Sequence, residues 1–323
     1  MVISAIDSAT AGKEGARRPR RAPRPRGEAG GARRVRRSRR QRWLWFLLPS
    51  LLLVGFFFVL PFVLNVPFAF SQWSSYSSRI PFVGFDNFTL MWESGALPGA
   101  IRITLVYAVI AMAVQNVVAL SLAVALRDSN RVNTFFRSVY FLPVLMSPLA
   151  AGYVWRGIVD PRGPLNAAIA TVVPGFDFAW LGHPVSAVAT VAFVDGWKWS
   201  GIATLVYIAG LNSIPASVKE AALVDGANAW TRFWRITVPL LAPAFTFNIT
   251  TTLVGALSAY DVIAAATSGG PGTSTTTLNV AVQQQFSYGY FGTASMLSLT
   301  VTLLVVAVAV PLVWWLRRRE VVG

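Results

Sequence analysis

The 323-residue chain is 54% hydrophobic with a mean hydropathy of +0.55, far more apolar surface than one water-soluble core can bury. It has no cysteine, which excludes disulfides, thiolate metal sites and cysteine nucleophiles, and a single histidine, His183. The net charge of +15 sits mostly at one end: residues 1–42 hold fourteen Arg or Lys against Asp7, Glu14 and Glu28, so +11 of the total precedes the first apolar run.

That first segment, 1–42, is rich in Ala, Pro, Gly and Arg and cannot build a core. It is expected to be a disordered basic cytoplasmic tail that fixes orientation and touches anionic membrane lipid, not a nucleic-acid-binding arm. Residues 43–323 follow as a membrane domain. Its apolar runs are continuous and reach the ~20 residues a helix needs to cross a bilayer, so helices are expected rather than a barrel. Six segments qualify: about 43–66, 103–126, 139–158, 185–210, 240–264 and 292–316. The sequence therefore predicts an all-α polytopic membrane protein with six transmembrane helices. The first run is too long for the ~7–15-residue apolar region of a signal peptide, and it is expected to stay attached.

Positive charge sets the orientation. With the tail inside, the inner connections carry nine basic residues, from Arg127, Arg131 and Arg137 through Lys219, Arg232 and Arg235 to Arg317, Arg318 and Arg319. The outer ones carry only Arg79, Arg102, Arg156 and Arg162. Both termini are predicted to be cytoplasmic. Trp43, Trp45, Trp314 and Trp315 fall at the inner ends of the first and last spans, at headgroup depth.

The inner loop 211–238 reads as two short helices. Pro215 suits a first helical turn, the stretch 216–224 is mostly helix formers, and Asp225-Gly226 supplies a stop. In the second piece Trp230, Phe233, Trp234 and Thr237 recur at i, i+3, i+4, i+7 and draw one largely apolar face. A carboxylate beside small residues on a projecting helical pair suits a partner's grip.

The run Glu220-Ala221-Ala222, Asp225-Gly226-Ala227, then Phe233, Ile236, Pro239 and Pro243 resembles the EAA motif of ABC-type importer permeases, with every residue at its expected spacing. The resemblance extends over 43–316. It takes in residues 82–88, Phe141-Leu142-Pro143, Asp160-Pro161 with Gly163, Leu165 and Asn166, Trp197-Lys198, residues 209–215, Tyr260-Asp261, Gly269-Gly270-Pro271 and residues 275–278. The last cluster is similar to the first permease of maltose- and glycerol-phosphate-type sugar importers. The resemblance implies the type I importer permease fold and a coupling helix docked on an ATPase, with Glu220 as the polar contact, Ala221 and Ala222 for close approach and Gly226 for the turn. It also implies four partners: a second permease subunit, two ATP-binding subunits and an extracytoplasmic solute-binding protein.

No phosphate loop is present. The one Gly-Lys pair, Gly12-Lys13, is followed by Glu14. ATP hydrolysis is expected on separate subunits, with no catalytic residue, metal or cofactor in this chain. Polar residues within membrane helices tend to face a cavity or a neighbouring helix. Asn248, Thr251, Thr252 and Ser258 on the fifth span, Tyr260 and Asp261 near its outer end, and Ser295 and Ser298 on the sixth are candidates for a solute pathway or for packing. Asp195 and Lys198, at i, i+3, are expected to pair. Two other classes remain open. An ion-coupled secondary transporter would show inverted repeats, and an intramembrane enzyme would need a catalytic set.

Overall fold

The computed structural model describes residues 46–318, which are helical apart from loops and one isolated bridge between Ser71 and Phe82. The expected tail, together with Trp43 and Trp45, lies outside them. The chain divides at Leu60 into two units. In the first, the described residues form a wholly unburied helical run that ends in a π turn, Gly55–Val59. This run is the start of α1, Phe46–Ala69, the first candidate span.

In the second unit the longest rods are α3 (Ala96–Leu126), α7 (Pro184–Ser213) and α13 (Phe291–Arg317), after the short α2 (Asp86–Glu93). Between α3 and α7 come α4 (Arg131–Leu145), α5 (Pro148–Ile158) and α6 (Pro164–Ala170). After α7 come α8 (Ala216–Val224), α9 (Ala229–Leu240), α10 (Ala242–Leu257), α11 (Asp261–Ala266) and α12 (Leu278–Ser287). Counting each bent helix pair as one span gives up to six candidate spans.

The third expected span, 139–158, is not one rod. α4 and α5 meet at 102°. Met146 and Ser147 are extended there, with ψ of 146° and 148°. A residue before proline is driven out of the helical region, and Pro148 follows Ser147. Ser147 then caps α5 by accepting a hydrogen bond from the Ala150 amide at 3.1 Å. The fifth expected span, 240–264, also breaks, because α10 stops at Leu257 and Tyr260, at φ −140°, starts α11.

Close approach of small residues holds α3 to α7. On α3 the buried stripe Thr104, Ala108, Ala111, Gln115, Ala119 and Ala123 repeats every three or four residues. A Cβ placed on Gly196 of α7 would stand 2.8 Å from the Ala111 carbonyl oxygen, so only glycine allows this separation. Three apolar clusters divide the length of the unit. One joins α3, α7 and α10 to α13 in the middle. A second, with Ala119, Tyr207, Ile214 and Leu241, closes the end that bears α8 and α9. A third, with Leu97, Leu278 and Leu297, closes the opposite end.

At that opposite end several residues of the importer-like motifs have structural work. Asn87 donates to the carbonyls of Ala69 and Ser71 at 3.0 and 2.9 Å, pinning the end of α1 to α2. Asn166 donates to Pro161 and Phe178 and accepts from the Trp180 indole at 2.7 Å, closing the loop before α7. Thr275 bonds the Gly270 carbonyl at 2.8 Å and the Thr267 hydroxyl at 2.7 Å. The Leu278 amide donates to the Thr104 hydroxyl at 2.9 Å, which ties that loop to α3.

Candidate functional site

The α8–α9 hairpin is built from local signals. Pro215, extended at ψ 140°, precedes α8. At the far end of α8 the Gly226 amide donates to the Leu223 carbonyl and the Ala227 amide reaches back to Ala222, both at 3.0 Å. These are the paired bonds of a Schellman stop, and Gly226 takes the required left-handed conformation at φ +73°. A Cβ there would meet nothing within 4 Å, so the need for glycine is purely conformational. Asn228 then caps α9, accepting from the Thr231 amide at 2.8 Å.

The hairpin presents its motif outward. Glu220, Ala221, Asp225 and Gly226 are exposed, Ala227 and Ile236 are half-buried, and Ala222 alone is buried. Leu223 and Val224 are exposed at 58% and 88%, apolar area with no cover among the described residues. Within α9 the turn Phe233–Thr237 widens to a π-helix ending at Val238, immediately before Pro239. α1 repeats the pattern, its π turn ending at Leu60 immediately before Pro61. Proline clashes with the carbonyl four residues back, and the widened turn relieves that crowding. α9 then meets α10 at 67°, with Pro243 in the first turn of α10.

A cavity of about 450 Å³ opens beside α10. It gathers Asn248, Thr251, Thr252, Ser258, Tyr260 and Asp261, six of the eight pathway candidates. Gln115 of α3 and Asp195, Trp199 and Ile202 of α7 complete the wall. Ser295 and Ser298 are not among its lining. Ser295 is buried and its backbone carbonyl accepts from the Asn65 side-chain amide at 3.2 Å, while the Ser298 carbonyl accepts from the Thr302 hydroxyl within α13.

Several hydrogen-bond protons around this cavity are already in use. Thr251 and Thr252 donate to the carbonyls of Phe247 and Asn248 at 2.8 and 2.7 Å, and the Asn248 amide donates to Ala203 at 3.1 Å. What faces the space is therefore rich in acceptors: hydroxyl lone pairs and the carboxyls of Asp195 and Asp261. Asp195 and Lys198 do not form the expected pair. The one ion pair among the described residues is Arg127–Asp128 at 3.6 Å. The buried Lys198 ammonium instead lies 3.6 Å from the centre of the Trp199 ring. The Asp195 carboxyl faces the fully buried Tyr107 hydroxyl, which makes no hydrogen bond of ordinary geometry.

The profile of the family described as "Binding-protein-dependent transport system inner membrane component" matches residues 115–318, from mid-α3 to the end of α13. The chain belongs to this family. It is an inner-membrane, multi-pass ABC importer permease whose ATP hydrolysis resides on separate subunits. The permease is 31% identical over 236 residues to the probable starch degradation products transport system permease protein AmyD of Thermoanaerobacterium thermosulfurigenes, covering 71% of this chain and 78% of that one. It is 30% identical to the multiple sugar-binding transport system permease protein MsmF of Streptococcus mutans, covering 71% and 79%. Among solved structures, its fold matches a bacterial ABC transporter involved in the import of the acidic polysaccharide alginate. The TM-score is 0.75 at 20% identity, over 88% of the permease and 99% of that chain.

Sequence reasoning missed two contributors to the permease's cavity, Gln115 and Trp199. A signal existed for each, since a buried glutamine and a tryptophan within a membrane span need a polar or aromatic partner.

Proposed function

We propose that this permease carries a sugar, or a related polyol or glycerol phosphate, through the cavity beside α10. The sugar-related names of its relatives support this, and so does the chemistry of the lining. Polyhydroxy solutes are dense in O–H donors. A wall of carboxyl and hydroxyl acceptors, with Trp199, Phe247 and Tyr260 to cover apolar ring faces, complements them.

The observation that carries the mechanism is the exposed α8–α9 hairpin joining α7 to α10. In this reading both termini and the hairpin are cytoplasmic. Glu220, Ala221 and Ala222 seat in a cleft on one of two ATP-binding subunits, and a second permease completes the pathway. Asp225, Gly226 and Ala227 close the turn, while Ile236 and Pro239 carry the displacement through the π turn into α10. An extracytoplasmic binding protein delivers the solute to the far end. Nucleotide shifts the access equilibrium only by binding one state more tightly, so the hairpin has to differ between states. Uptake of radiolabelled sugars into vesicles containing the whole complex tests the proposal. Uptake that requires ATP and the binding protein is expected. Uptake driven by an ion gradient without ATP would transfer the chain to the secondary-transporter class.

A further inference from the structure

We infer that the cleft between the end of α3 and the α8–α9 hairpin binds an anionic phospholipid of the inner leaflet. The cleft measures about 670 Å³. Its charged lining is Arg127, Lys219 and Arg232, with Asp128 the only acid, so it carries a net charge of +2. Its floor is apolar, formed by Leu211, Phe233 and Ile236 among others. Cations above an apolar floor fit a phosphate carrying an acyl chain, whereas free phosphate has no use for the floor.

The position fits the headgroup layer. Arg127 directly follows the 31-residue apolar helix α3, and Val124, one turn earlier, also lines the cleft and is exposed. α9 meets the candidate span α10 at 67°, which lays it toward the bilayer plane. It carries Trp230 and Trp234, 73% and 49% exposed, at the depth that amphipathic rings prefer. The nearby Arg137 is committed to the carbonyls of Leu126, Arg127 and Asp128. Of the cleft cations, Arg127 pairs with Asp128 at 3.6 Å with both side chains largely exposed, and Lys219 reaches the Leu211 carbonyl at 3.4 Å, long contacts that a phosphate can replace.

Assignment to the inner leaflet rests on the cytoplasmic orientation proposed above; the lipid selectivity does not. The test is native mass spectrometry of the purified transporter complex with added phosphatidylglycerol or phosphatidylcholine. Phosphatidylglycerol should be retained preferentially. Retention should fall about fivefold for each charge removed in Arg127→Gln, Lys219→Gln and Arg232→Gln, the fold-change that ~1 kcal/mol per basic side chain at an anionic surface gives. Arg127→Lys and Arg232→Lys should keep it, and excess inorganic phosphate should not compete. Equal retention of both lipids, undiminished retention in the triple variant, or displacement by phosphate would overturn the inference. So would release of the ATP-binding subunits from the triple variant with lipid retention intact, which would make the cleft a protein contact. Labelling of Ser213→Cys from outside right-side-out vesicles would overturn the orientation alone, leaving a selective site in the other leaflet.

Discussion

Replacing Gly226 isolates the geometry of the coupling turn from its contacts. The residue holds φ +73°, and a side chain there would touch nothing within 4 Å. Any loss must therefore come from the backbone. Forcing an L-residue into this conformation costs about 1–2 kcal/mol for alanine, only a few tenths for asparagine, and more for a β-branched residue. Gly226→Ala thus lowers the population of the closed turn roughly fivefold or more. The bonds at stake are Gly226 N–H to Leu223 and Ala227 N–H to Ala222. Because the turn is exposed and Ala222 alone of the motif is buried, the thermal midpoint of the purified complex should not move. Solute-stimulated ATP hydrolysis by the reconstituted transporter should fall in the order Gly, Asn, Ala, Val at position 226. Equal activity for Asn and Val would refute the conformational argument, and a fall in thermal midpoint that tracked activity would reassign the effect to folding.

Four further substitutions probe the scaffold and the cavity. Arg137→Gln removes a guanidinium from the terminal carbonyls of α3 and should cost about 1.5–3 kcal/mol, visible as a lower thermal midpoint in detergent. Gly196→Ala would set a Cβ 2.8 Å from the Ala111 carbonyl and 3.0 Å from Val114, and should destabilise by about 1–3 kcal/mol in the same assay. Gly157→Ala, with open space around its Cβ, should stay within about 0.5 kcal/mol of the parent. Asp195→Asn keeps the shape of the cavity wall and removes its buried carboxyl acceptor. The solute concentration for half-maximal uptake should rise about tenfold, in line with the loss of one hydrogen bond, with the thermal midpoint unchanged.

The hairpin was legible in the sequence because everything that shapes it is local. Asp225-Gly226, Asn228 and Pro239 each act within five residues, and the structure closes the turn with the two bonds such a stop requires. The long rods were legible for the same reason, each being one apolar run. The break at Met146–Ser147 was written in Pro148, but the continuity of the apolar run across 139–158 hid it. The cavity was only partly readable. A stripe of small polar residues looks the same whether it lines a space, as on α10, or packs against a neighbour, as Ser295 does against Asn65. Asp195 and Lys198 have the spacing of a pair, yet the lysine ammonium lies over Trp199 and the carboxyl faces Tyr107. Side-chain direction within a tightly packed helix pair is set by both helices, and one sequence stretch carries half of that information.

The absence of cysteine from the chain makes one cross-linking experiment clean. With Glu220→Cys as the only thiol on the permease, a short bifunctional reagent applied to membranes of the assembled transporter should join position 220 to the ATP-binding subunit, and nucleotide should change the yield. A thiol at 220 that reacts with an impermeant reagent from the external face, and never with that subunit, would contradict the coupling role of the hairpin.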